Sequence, residues 1–193
     1  LDLNALRPVI ERVTRLARQA SGAAHAYVVL VEEDHVWQSG FDGVPEAIGP
    51  MADSTTARNI DCHDTLWVRD LRDTWPDHPW VSGPAGARGY ANAAVMLGAS
   101  LKLGGLCLIF KQPADRDEAV VATLNDLAAL LAEAIERLRA QRRTEIAEQT
   151  SRAATDLKDA IMRSSPVALG MTDRDLRYLY VNEQWELEKG ISS

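Results

Sequence analysis

From Ala114 to Ser165 the chain contains neither proline nor glycine, although Pro113 and Pro166 bracket the run. Nothing in it removes a backbone donor or loosens the backbone, so it predicts one long helix. Apolar residues recur at Val120, Leu124, Leu127, Leu131, Ala134 and Leu138, in alternating steps of four and three. That is the a/d stripe of a helix seeking a partner helix. Charged residues such as Glu133, Arg137, Arg142 and Glu145 fill the other faces. Helical throughout, the run would be on the order of 70 Å long. A compact domain of this size rarely uses so long a helix. The first half is therefore expected to pack on an N-terminal domain and the second half to leave it and pair with another subunit. Leu124, Leu127, Leu131, Leu138, Ile146 and Leu157 would mark the dimer helix.

The stripe breaks after Leu138. The next strong apolar residue is Ile146, followed by Ala153, Leu157 and Ile161. Such a break moves the seam around the helix. It reads either as a joint whose register can change, or as a helix end followed by a connector.

At 193 residues the chain has room for one domain plus additional material, or for two small domains. A net charge of −7 argues against a dedicated nucleic-acid surface. The basic cluster Arg137–Arg143 lies among helix formers and reads as a solvated helix face. No apolar run approaches the roughly 18–20 residues needed to span a bilayer, and no secretory segment opens the chain. Two cysteines, Cys62 and Cys107, make no disulfide framework, so the expected compartment is the cytoplasm. The chain begins with Leu1, as expected of a piece of a longer protein.

Before the long run, the pattern predicts an amphipathic helix over 4–20, capped by Asp2 or Asn4 and ended by Ser21-Gly22. Strands are expected over 26–31 and 35–39, and a loop over 40–50. A short helix is expected over 53–60, a strand over 65–68, and a proline-rich loop over 69–88 anchored by Trp75, Trp80 and Val81. The strongest strand signals are 91–97 and 105–110, joined by a turn over 98–104. Two short strands, 167–171 and 178–181, and a helix from Asn182 to Lys189 follow the long run. The order gives an α+β fold: an antiparallel sheet with helices packed on one face, extended by a long C-terminal helix. The expected divisions are 1–138, 139–165 and 166–193.

Several of these blocks carry a likeness. Leu66-Trp67-Val68-Arg69-Asp70-Leu71, Trp80-Val81-Ser82-Gly83-Pro84, Ala87-Arg88-Gly89-Tyr90-Ala91 and Leu103-Gly104-Gly105-Leu106-Cys107 together resemble a GAF domain of the bacterial sensor type. The resemblance runs from about Leu6 to Leu138. Ser164-Ser165-Pro166-Val167 through Thr172-Asp173, with Arg177 to Asn182, resembles the beginning of a PAS domain. Together they imply a cytoplasmic sensor array upstream of a histidine kinase or a cyclic-di-nucleotide enzyme. The signature of cyclic-nucleotide-binding members is not found. The dipeptide Cys62-His63 precedes the Leu66 block, whereas a pigment-bearing cysteine would follow it. Bilin, haem and cyclic nucleotide are accordingly disfavoured.

Candidate chemistry is sparse. Asp61, Cys62, His63 and Asp64 cluster, but adjacent Cys-His lacks the spacing that lets two ligands converge on a metal, so no metal site is expected. Cys107 reads as a small buried thiol. His25 and His35 are expected to flank the first hairpin turn. Asp70 and Arg88 bracket the long loop, where a two-pronged ion pair would pin it; alternatively Arg88 meets an anionic ligand. Trp37, Trp75 and Tyr90 are the best candidates, with Arg88, to line a small-molecule pocket. Otherwise these rings fill a core poor in phenylalanine.

The expected function is a non-catalytic sensory module that binds a small ligand, dimerises through its N-terminal and long C-terminal helices, or both, and relays a signal along the long helix. The alternatives are a dimerisation module without ligand and a methionine sulfoxide reductase using Cys62 or Cys107.

Overall fold

In a computed structural model, residues 2–32, 35–41, 45–50, 64–83, 86–98 and 100–189 are described. The chain divides into two units, Leu1–Arg139 and Ala140–Ser193. The expected helix over 53–60 and the Cys62-His63 dipeptide lie outside the described residues.

In the first unit, α1 (Leu3–Ser21) is capped by Asp2, whose carboxylate accepts from the Ala5 N–H, and ends at Gly22 with φ 67°. Its stripe Leu6, Ile10, Val13 and Ala17 is buried. Strands β1 (His25–Glu32), β2 (His35–Gln38) and β3 (Ala47–Pro50) follow, then β4 (Leu66–Val68). The one-turn helices α2 (Leu71–Thr74) and α3 (Pro79–Ser82) precede β5 (Gly89–Leu97) and β6 (Leu101–Phe110). All six strands form one antiparallel sheet in the order β3-β2-β1-β6-β5-β4.

Three expectations are corrected. Residues 47–50, expected as loop, form β3, because Trp37 and Gln38 of β2 offer a free edge to Ile48 and Ala47. The 69–88 loop contains two helical turns, nucleated by Asp70 and His78 as caps. Strand β6 begins at Leu101, so Gly104, expected in the turn over 98–104, lies within the strand beside Gly105. Those two glycines serve close approach rather than a turn. A Cβ on Gly104 would sit 1.9 Å from the Val29 carbonyl oxygen, and one on Gly105 would meet the Asn92 side chain.

Side-chain alternation divides the unit into two cores. On one face Val28, Leu30, Ala91, Ala93, Leu106 and Leu108 pack against α1 and the first part of α4 (Glu118–Ser164). On the other face Tyr27, Val29, Tyr90, Cys107 and Ile109 lie under the 69–88 loop. The helix starts at Glu118 rather than at Ala114, because the Asp117 carboxylate accepts from Ala119 and Val120 and caps it there. The preceding residues are tied to β4 instead: Trp67 Nε1 donates to the Ala114 carbonyl and Arg116 to that of Thr65.

The long helix also carries a correction to its dimer stripe. Leu124, Leu127 and Leu131 are buried within the unit's own core, and Leu138 packs against it. The sheet's apolar face takes up the first heptads, so Leu124, Leu127 and Leu131 are not free to meet a second subunit, while Leu138 is half-buried. Ile146 and Leu157 are exposed, as is Ile161.

In the second unit, β7 (Gly170–Thr172) and β8 (Tyr178–Val181) pair antiparallel, and α5 (Glu183–Lys189) follows. Asn182 organises it. Its Oδ1 accepts from Leu169 and Trp185, and its Nδ2 donates to the Val167 carbonyl.

Candidate functional site

The 69–88 loop is held at both ends by backbone bonds. Leu71 N–H donates to the Arg88 carbonyl at 2.5 Å and Arg88 N–H to that of Phe110 at 2.8 Å. The side chains add a second closure. Arg88 Nε donates to Asp70 Oδ1 at 3.0 Å and its Nη2 to Asp70 Oδ2. Asp70 is 8% exposed and also accepts from the Arg72 N–H. The Arg88 guanidinium, helped by that N–H and opposed by burial, holds its carboxyl at about 2. Two of the five guanidinium N–H groups are thus already engaged by Asp70.

Within this closed loop, Trp75 and Trp80 turn onto the sheet. Trp75 meets Tyr90 edge-on with ring centres 6.0 Å apart, and Trp80 meets Tyr27 edge-on at 5.1 Å. Phe41 stacks on Tyr27 at 4.9 Å. Beneath these rings lies a polar row that sequence reasoning missed. Asn92, Cys107 and Tyr27 are lateral neighbours across β5, β6 and β1. With Tyr90 they are fully buried. Asn92 Nδ2 donates to the Tyr90 hydroxyl at 3.0 Å, and that hydroxyl shares a hydrogen with Cys107 Sγ at 3.4 Å. The Asn92 Oδ1 and Tyr27 hydroxyl oxygens have no hydrogen-bond partner among the described residues. Each such atom costs about 1–3 kcal/mol while unpaired. The available signal was the alternation of β5: Asn92 stands between Ala91 and Ala93, both inside the opposite core.

Burial pushes the Cys107 thiol up to about 11, against the hydrogen bond from Tyr90. It is a neutral thiol at ordinary pH, which handicaps it as a nucleophile. Burial likewise pushes the Tyr27 phenol well up, with Cys107 and Tyr90 adding to the effect.

The expected pocket set is split by the sheet. Trp75, Arg88 and Tyr90 share the loop-covered face, but Trp37 lies on the helix face, opposite Leu30 in register. Trp37 Nε1 donates to Glu46 Oε1 at 2.7 Å, and Arg7 of α1 holds the other oxygen at 2.9 Å. These residues line a cleft of about 230 Å³ beside α1. His25 opens β1 and packs on Phe41, away from the hairpin turn, whereas His35 adjoins that turn. Among the described residues no cluster of three metal-ligating side chains occurs, and no helix is long and apolar enough to cross a membrane.

No protein-family model matches the chain, and no curated protein matches its sequence. Solved structures do match. A domain of a protein assigned as a two-component sensor histidine kinase from Sinorhizobium meliloti is 17% identical, with a TM-score of 0.61 over 74% of this chain and 99% of that one. The blue-light absorbing form of the Thermosynechococcus elongatus PixJ GAF domain is 13% identical, with a TM-score of 0.61 over 75% and 93%. The GAF domain of an Acinetobacter phosphoenolpyruvate-protein phosphotransferase is 15% identical, with a TM-score of 0.57 over 72% and 94%. The chain has the GAF fold.

Proposed function

We propose that the chain is a non-catalytic sensory module of a cytoplasmic signal-transduction protein. Occupancy of the loop-covered face of the sheet would be passed to the long helix. One observation carries this reading: α4 is at once a wall of the core and the chain's continuation. Leu131 and Ile135 are fully buried against the sheet, while the same helix goes on to Ser164 with Ile146, Leu157 and Ile161 exposed. A sheet that shifts beneath Leu131 must shift the helix. The fold is shared with a domain from a protein assigned as a sensor kinase, which supports the signalling class.

In this reading two subunits pair through α1 and α4. The seam uses the exposed apolar residues Leu16, Leu130, Ile146 and Leu157 in place of the buried leucines. The signal is a change in helix register or crossing angle, driven by a ligand that binds the two states with different affinity. The 166–193 segment is the start of a PAS-like domain, and the output is a histidine kinase or a cyclic-di-nucleotide enzyme. A second reading, a dimerisation module without ligand, draws on the closed packing of Trp75 and Trp80 over Tyr90 and Tyr27.

Sedimentation equilibrium of the whole chain beside a version ending at Arg139 tests the relay. The expected result is a dimer that weakens on truncation. Equal dimers would reduce the later helix to a tether, and monomers in both would remove the mechanism.

A further inference from the structure

We propose that the cleft beside α1 binds one free aliphatic α-amino acid, with Arg7 and Ser39 taking its carboxylate and Glu11 its ammonium. The cleft lies on the helix side of the sheet, so the inference goes beyond the sensory reading and does not rest on the loop-covered face.

At about 230 Å³ the cleft is smaller than the roughly 300–1,000 Å³ of sites for drug-sized ligands and suits a single small molecule. Leu3, Ile10 and Trp37 supply apolar lining, and Arg7, Glu11 and Ser39 supply polar groups. Ser39 is 6% exposed. Its hydroxyl accepts from the Val28 N–H at 2.9 Å, and its own hydrogen has no acceptor among the described residues. A hydroxyl carries one donor besides its acceptor positions, so a buried donor stands unspent at the cleft. Arg7 spends one of its five N–H donors on Glu46, at 2.9 Å.

Arg7 and Glu11 stand four positions apart on α1, the spacing at which helical side chains are neighbours. They do not pair. Arg7 turns to Glu46 instead, and the Glu11 carboxylate has no ion pair or hydrogen bond among the described residues. Both oxygens of Glu46 are occupied, by Trp37 Nε1 and by Arg7. The lining thus offers a cation and a hydroxyl donor to a carboxylate, and one helical turn on it offers a carboxylate to an ammonium. A simple anion would meet the like charges of Glu11 and Glu46, and a simple cation that of Arg7. A zwitterion meets each pole with its opposite. An aliphatic side chain on that zwitterion buries apolar surface against Leu3, Ile10 and Trp37.

The test titrates the full chain with three probes of one carbon skeleton: L-leucine, 4-methylpentanoate without the ammonium, and 3-methylbutylamine without the carboxylate. It follows the Trp37 indole N–H by NMR, assigned with Trp37→Phe. The expected result is a saturable shift with L-leucine and affinities about tenfold or more weaker for the other two. Glu11→Gln should weaken L-leucine about tenfold or more while leaving 4-methylpentanoate no weaker than in the parent. Arg7→Gln should weaken both. Glu11 is exposed and bonds to no described side chain, so its substitution leaves the fold intact, and unchanged signal dispersion checks this. Equal or tighter binding of 4-methylpentanoate in the parent would reduce the cleft to an anion site and overturn the proposal. Equal or tighter binding of the amine, full L-leucine affinity in Glu11→Gln, or a silent Trp37 indole with all three probes would also overturn it. Each of these outcomes leaves the relay through α4 to its own sedimentation test.

Discussion

Asp70 ties two things at once: the cap of α2 and the guanidinium of Arg88. Its carboxyl is held at about 2 against an ordinary 3.8, chiefly by Arg88. A depressed folded-state pKa lends stability that is complete above the unfolded value and is lost as pH falls through the folded one. Asp70→Asn should therefore melt below the parent at pH 7. The gap should narrow between about pH 4 and about pH 2, followed by circular dichroism. A gap that stays constant over that range would assign the loss to packing instead. The pairing of Asp70 with Arg88 was legible because both residues bracket a loop rich in proline and glycine. The grouping of Trp37 with Trp75 was not. Two aromatic residues distant in sequence reveal nothing about which face of a sheet each takes until strand register is known. Asn92 was hidden for a related reason, since one carboxamide in an alanine-rich strand resembles an edge residue.

Among the elements, α4 was the most legible and its partner the least. A four-and-three stripe specifies that a helix buries one face, but a sheet of the same molecule satisfies it as well as a second helix does. The two halves should respond differently to truncation. Leu131→Ala should cost about 2–5 kcal/mol in urea unfolding, because the side chain is fully buried. Ile146→Ala, at an exposed site, should change unfolding by less than about 0.5 kcal/mol. Under the proposed pairing, Ile146→Ala should nevertheless raise the dimer dissociation constant in sedimentation. Strand β6 makes a similar point with glycine. At Gly104, φ is 155° and an added Cβ would collide with the backbone of β1. Gly98 has φ 61° and open space around it. Gly104→Ala should lower unfolding stability by about 3 kcal/mol or more, and Gly98→Ala by about 1–2 kcal/mol. Read along the chain, the two glycines look alike as turn signals.

For the whole molecule, the sequence order of elements was enough to expect an antiparallel α+β sheet with its long helices on one face. It did not show that the chain's first and last long strands would meet in the middle. The strand order β3-β2-β1-β6-β5-β4 places β1 against β6, with His25 opposite Ile109 and Val29 opposite Gly105. Residues about 80 positions apart thus form the central pairing. Such a contact closes late, because the loop entropy must be spent before the pairing returns anything. On a ribosome adding about 5–20 residues per second, β1 waits several seconds after it emerges before β6 exists to meet it. During that interval the apolar run Ala26–Val31 has α1 against one face and only the short β2 as a pairing strand. Expression yield should therefore depend on temperature and chaperone supply more steeply than the stability of the finished fold would suggest.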